Sequence, residues 1–167
     1  MSEHYGKPGP PGAAVPFPAD PAQLKMVAPL FIQQELRQLY RHSYAELSPF
    51  FAGLANGVLL GSRCPACGYA YATPRPFCAE CGTETEWFEL PSRGCVHSWT
   101  VCHYGAERFL PETPFVLILV EYEGIDTLFF SRLRDLPPDA IRIGLTVEAR
   151  FAAPAALDVT DVWFVPT

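Results

Sequence analysis

Two short cysteine motifs constrain this chain more than any other feature of its sequence. They read Cys64-Pro65-Ala66-Cys67-Gly68 and, with ten residues between Cys67 and Cys78, Cys78-Ala79-Glu80-Cys81-Gly82. A two-residue spacing lets one tight turn present two sulfurs, so each motif is half of a tetrahedral four-thiolate site. The glycine after each second cysteine suits the positive φ that such a turn demands. Between them, residues 69–77 are long enough to bring the second turn opposite the first, which is a ribbon geometry. The pattern predicts structural zinc held by Cys64, Cys67, Cys78 and Cys81. Spacing alone does not separate zinc from rubredoxin-like iron, because both accept four thiolates; a redox or disulfide role is the third reading. With all four positions filled by protein, no open position is left to activate water, so metal-dependent hydrolysis is not expected.

The 167 residues allow one domain with a small appended module. A hydrophobic fraction of 49% describes a folded protein, but 18 prolines argue against long helices. No stretch approaches the roughly 18–20 uninterrupted apolar residues of a membrane span, so no membrane role is expected. The N-terminus lacks a secretory pattern. The predicted location is therefore cytoplasmic, where paired cysteines favour metal over disulfide. Residues 1–83 carry six basic and five acidic side chains, whereas residues 84–167 carry six basic and thirteen acidic. Nucleic-acid grooves bind largely by replacing phosphate counterions with Lys and Arg, so this balance weighs against such a partner.

Along the chain, residues 1–29 read as a flexible Pro/Gly-rich arm. Residues 30–57 read as a helical segment. Within it, Leu30, Phe31, Gln34, Leu36, Leu39, Tyr40 and Leu47 are compatible with one buried helix face. A second, shorter helix is signalled by Ser48 as N-cap with Pro49 at the first helical position, and by Asn56-Gly57 at its end. Residues 58–90 form the expected zinc ribbon, entered from a strand at Val58–Ser62. Residues 91–167 show apolar runs separated by Gly and Pro, a strand grammar. Strands are expected at 86–90, 94–104, 115–123, 127–133, 145–151 and 159–165. The fold class is thus mainly β, with N-terminal helices, a ribbon, and a small five- to six-stranded barrel or sandwich.

Other candidates weigh less. Strict alternation in the 94–104 strand places Cys95, His97, Trp99, Val101 and His103 on one face and Val96, Ser98, Thr100 and Cys102 on the other. A Cys95–His97 catalytic pair competes there with the plainer reading of cysteine as a small core residue. Strand aromatics such as Trp99, Phe130 and Trp163 could stack bases, but core packing explains most of them. Arg132 and Arg134, two apart, would share a face and could meet phosphates or carboxylates. No glycine-rich phosphate loop, HExxH helix or Ser-His-Asp signal is present.

The order of these features resembles a known family. The run Gly61-Ser62-Arg63-Cys64-Pro65-Ala66-Cys67-Gly68, then Thr73-Pro74-Arg75-Pro76-Phe77 before the second motif, then Trp87, Gly94-Cys95-Val96-His97-Ser98-Trp99 and Ile143-Gly144-Leu145-Thr146-Val147, looks like the DUF35 proteins. The likeness covers roughly residues 48–165. It implies a rubredoxin-like zinc ribbon followed by an OB-fold barrel. It also implies an accessory subunit without catalytic residues of its own, in a hetero-oligomer with a thiolase-like enzyme acting on β-ketoacyl-CoA. Acyl-CoA is then an implied ligand, with Arg75, Arg132 and Arg134 as candidate contacts for its phosphates. The rival reading is a nucleic-acid-binding ribbon and OB-fold protein, and a third is a thiol enzyme using Cys95 or Cys102.

Overall fold

The computed structural model describes residues 17–27, 30–31 and 34–167, and it falls into two units, 1–42 and 43–167. In the first, Pro21–Met26 form a 3-10 turn whose N-cap Asp20 accepts from the Ala22 N–H at 2.9 Å. The expected arm lies largely outside the described residues. Residues 34–44 are not helical, against the helix expected over 30–47. Leu36 and Leu39 are 91% and 100% exposed, so the apolar pattern is not buried at these positions. Without burial, so short a segment has too little intrinsic stability to hold a helix.

The second unit begins with a 3-10 turn, Ala45–Leu47, that runs directly into α1 (Ser48–Ala55). Ser48 is therefore inside the helix rather than at its cap, and its hydroxyl donates to the Ala45 carbonyl at 2.6 Å. The C-terminus ends as expected. Gly57, at φ +74°, donates to Leu54 O at 3.1 Å and Val58 donates to Gly53 O at 2.9 Å, the paired bonds of a Schellman motif. Phe50, Phe51 and Leu54 of α1 are buried in the main core.

Three short strands follow in a ribbon sheet: β1 (Leu60–Arg63), β2 (Ala70–Tyr71) and β3 (Glu86–Glu89), ordered β2-β1-β3 and all antiparallel. The remaining five strands are β4 (Arg93–Cys102), β5 (Phe115–Glu121), β6 (Phe129–Leu133), β7 (Thr146–Phe151) and β8 (Val162–Pro166). They close a barrel in the order β4-β5-β6-β8-β7, consistent with an OB-fold. The strand expected at 86–90 belongs to the ribbon sheet, which leaves the barrel with five strands.

Alternation decides what enters the barrel: Val116, Ile118 and Val120 from β5, Phe129 and Leu133 from β6, Val147 and Ala149 from β7, and Val162 and Phe164 from β8 are all buried. Closure depends on β4, which pairs with β7 through Arg93–Cys95 and with β5 through Cys95–Cys102. Gly94 pairs with Val147 of β7 and lies against the end of β5. A Cβ there would stand 2.5 Å from Val120 Cγ1 and 2.8 Å from the Glu121 carbonyl oxygen, so only glycine fits.

One expectation for β4 is corrected. A β-bulge between Val96 and Ser98 shifts the register by one residue. Val96 and Val101, which strict alternation puts on opposite faces, both pack into the same core. Among the described residues no helix is long and apolar enough to cross a membrane.

Candidate metal centre

β1 delivers Cys64 directly, because the chain turns immediately after Arg63. In the first turn the Gly68 N–H donates to Cys64 O at 2.9 Å and the Cys64 N–H donates to Tyr69 O at 2.9 Å. The second turn repeats the pattern, with Gly82 to Cys78 O at 2.9 Å and Cys78 to Thr83 O at 2.8 Å. Gly68 and Gly82 have φ of +78° and +73°, and a Cβ on either would meet nothing within 4 Å. Backbone conformation, not crowding, is what requires glycine at both positions.

The two turns face each other. All four sulfurs of Cys64, Cys67, Cys78 and Cys81 lie within 4.8 Å of one another. Cys64 and Cys81 sulfurs are 3.4 Å apart, Cys67 and Cys78 3.6 Å, and Cys67 and Cys81 3.9 Å. A tetrahedron with metal–sulfur bonds of about 2.3 Å has edges of about 3.8 Å. The four thiols therefore fit a zinc ion at their centre, and the chemistry zinc supplies there is structural: it ties two turns together. Cys64 and Cys78 are buried, whereas Cys67 and Cys81 are exposed, so the centre lies just beneath the surface.

Supporting groups surround the sulfurs. The buried Tyr71 hydroxyl stands 3.4 Å from Cys78 Sγ and accepts the Ala79 N–H at 2.8 Å, and Thr83 Oγ1 stands 3.4 Å from Cys81 Sγ. The Tyr71 hydroxyl is the main reason the Cys78 thiol is drawn down to about 6. Thr83 draws Cys81 down as well. Against the pull of the Tyr69 amide, the neighbouring Cys64 thiol helps push Cys67 up to about 12. Four adjacent thiols cannot all ionise alone, and a dication removes that conflict. Tyr71 and Thr83 escaped the sequence reading; Thr83 follows directly on a knuckle glycine, the one local signal available.

The ribbon is fastened to the barrel by the turn between β5 and β6. Ala70 N donates to Asp126 Oδ2 at 2.8 Å, Asp126 N donates to Ala70 O at 3.0 Å, and Ala72 N donates to Thr127 Oγ1 at 2.9 Å. Arg63 adds a bond to Gly124 O at 3.3 Å and lies over the Phe88 ring. The outer edge of the two-residue strand β2 is thereby satisfied by barrel residues.

The other candidates lie apart from the metal. Cys95 and Cys102 are half-buried on β4. His97 pairs with Glu121 at 2.9 Å on the outside of the barrel. Arg75 is exposed on the ribbon with its guanidinium 5.9 Å from the centre of the Tyr71 ring. Leu133 is buried between Arg132 and Arg134, whose surroundings differ. Arg134 lies over Trp163 at 4.5 Å. Arg132, only 12% exposed, is held between Phe109 and Phe115 and ion-paired with Glu112.

Comparison with known proteins agrees with this architecture. Residues 51–86 match the model of the ChsH2 rubredoxin-like zinc ribbon domain, and residues 87–152 match that of the ChsH2 C-terminal OB-fold domain. A DUF35 domain-containing scaffold protein of Methanocaldococcus jannaschii is 33% identical over 95 residues, covering 56% of this chain and 67% of the relative. Its namesake in Methanothermobacter thermautotrophicus is 34% identical over 95 residues, covering 56% and 71%. Among solved structures, a chain of the Ltp2-ChsH2(DUF35) aldolase superposes with a TM-score of 0.58 at 28% identity, covering 72% of this chain and 93% of that one. A DUF35 protein of unknown function from Sulfolobus solfataricus gives 0.52 at 17% identity, covering 72% and 84%, a likeness of fold alone. With its four-thiol ribbon, its five-stranded barrel and these matches, the chain belongs to the DUF35 family.

Proposed function

We propose that this chain is an accessory scaffold subunit, without catalytic residues of its own, of a thiolase-like enzyme complex acting on β-ketoacyl-CoA or a similar thioester, and that it works in the cytoplasm. The observation that carries this reading is the joint match to proteins named as scaffolds and to a chain of an aldolase assembly. The geometry of the centre supports it. A closed four-cysteine site rigidifies a surface and offers no position for a substrate atom. The barrel turn that grips β2 makes ribbon and barrel into one continuous platform for a partner.

Assistance with acyl-CoA is the second half of the reading. Arg75 and Arg134 keep exposed guanidinium groups beside aromatic rings, an arrangement suited to phosphate pairing with an adjacent stacking surface. Arg132 is a weaker phosphate contact than sequence alone implies, because Glu112 already neutralises it. The test is affinity capture of the full chain from its native host, with identification of the bound protein. Capture of a thiolase-fold enzyme whose KM for acyl-CoA rises when this chain is removed is the expected result. An enzyme that is stable and fully active alone overturns the proposal.

A further inference from the structure

Strand β2 is two residues long, too short to fix a side chain by its pairing with β1 alone. The barrel supplies what is missing. The amides on either side of Tyr71 are both taken by the turn between β5 and β6, Ala70 by the Asp126 carboxylate at 2.8 Å and Ala72 by the Thr127 hydroxyl at 2.9 Å. Around the ring, Tyr69 stands 5.0 Å away between centroids, and the Arg75 guanidinium lies 5.9 Å from its centre. Tyr71 is thereby held in one place, buried beside the second cysteine turn.

The hydroxyl at the end of this side chain has one hydrogen to give. It accepts the Ala79 N–H at 2.8 Å, which occupies a lone pair and leaves the hydrogen free for a second neighbour. That neighbour is Cys78 Sγ at 3.4 Å. A cysteine sulfur bound to zinc is a thiolate and can only accept, so in the loaded centre Tyr71 donates and Cys78 receives. Cys78 is itself buried, so water does not reach the sulfur to replace the phenol. Cys81 offers the contrast: its sulfur has the Thr83 hydroxyl at 3.4 Å but is exposed, and water can take that neighbour's place.

We infer that Tyr71 is a positioning residue of the zinc centre, and that the barrel sets its hold on the metal through it. Asp126 and Thr127 fix β2, β2 fixes the phenol, and the phenol draws charge from the Cys78 thiolate. Groups that hydrogen-bond a metal ligand change metal affinity by roughly 10–100-fold when removed. This link needs only the fit of the four thiols to zinc, and stands or falls apart from the scaffold role.

The test uses the full chain loaded with zinc and, for a spectroscopic readout, with cobalt(II). Tyr71→Phe keeps the ring and removes the donor. It should weaken zinc about tenfold in competition with a chelator. It should also move the sulfur-to-cobalt charge-transfer band to longer wavelength, because a thiolate relieved of a hydrogen bond gives up electrons more readily. Fluorotyrosine at the same position, a stronger donor of nearly the same shape, should move the band to shorter wavelength, which packing alone does not produce. Thr83→Ala should shift the band less than Tyr71→Phe does. Asp126→Ala should weaken zinc by less than Tyr71→Phe, and in the double variant it should add nothing further, since its effect passes through the phenol. A band unmoved in both Tyr71 variants overturns the role of Tyr71. An Asp126→Ala effect that is absent, or that adds in full to that of Tyr71→Phe, overturns the route from the barrel. Should Tyr71→Phe hold no cobalt, the fluorotyrosine band decides by itself.

Discussion

The ribbon and the barrel solve the same problem of holding short strands together by opposite means. The barrel has a self-sufficient interior, in which Phe164, Ile118, Val96, Val120 and Val147 are almost entirely removed from water and every strand is paired on both sides. The ribbon has strands of four, two and four residues, and its separate cluster of buried residues consists of Cys64, Tyr71 and Cys78. Apolar burial of that size does not offset chain entropy. A metal, the clamp and the packing of Ala72, Trp87, Phe88 and Leu90 into the main core make up the difference, so the metal turns and the barrel should fail for different reasons.

The strongest way to break the comparison is to remove a ligand. Cys78→Ser should abolish zinc binding, which in small zinc modules contributes on the order of 10 kcal/mol to folding. Amide exchange in the ribbon should then collapse while β5 to β8 stay protected. Loss of barrel protection as well would show that the barrel is not self-sufficient. The converse substitution, Phe164→Ala, should cost the barrel about 3–5 kcal/mol by opening a cavity, read as a lowered urea midpoint. Asp126→Ala should loosen the clamp. Losing a carboxylate acceptor at the Ala70 amide predicts about 1–2 kcal/mol and faster exchange confined to β2.

Smaller effects sharpen the picture of the barrel. The Tyr122 hydroxyl is buried without a hydrogen-bond partner among the described residues, and desolvation pushes its pKa up. Tyr122→Phe should therefore be neutral or stabilising by up to about 1 kcal/mol in thermal unfolding. Smallest of all is the acid limb at Glu148, whose carboxyl is held below its ordinary value by Arg150 at 2.7 Å, with a lesser part from Arg93. Because the folded pKa is depressed, its contribution is present above the unfolded carboxylate pKa and fades as pH falls through the folded one. Glu148→Gln should flatten that part of the stability profile, measured by denaturant titration between neutral and acidic pH.

The same contrast explains what the sequence made legible. Cys64, Cys67, Cys78 and Cys81 write a metal site in local spacing, because each half of it is a single turn. Gly57, Gly68 and Gly82 likewise announce conformations set within a few residues. The barrel strands are readable from alternation, as in Phe115–Glu121. What stayed hidden depends on contacts distant in sequence. The helix expected over residues 30–47 has an apolar period whose Leu36 and Leu39 stay exposed, and the bulge after Val96 is an accommodation between β4 and β5. The clamp at Asp126 and the pairing of β6 with β8 join residues more than thirty positions apart, where no local pattern records them.

X-ray absorption at the zinc edge of the purified, reduced protein tests the central claim most directly. One zinc per chain, coordinated by four sulfurs at about 2.3 Å, is the predicted result. Nitrogen or oxygen in the first coordination shell, iron in place of zinc, or a metal-free protein whose ribbon is nonetheless folded would contradict it.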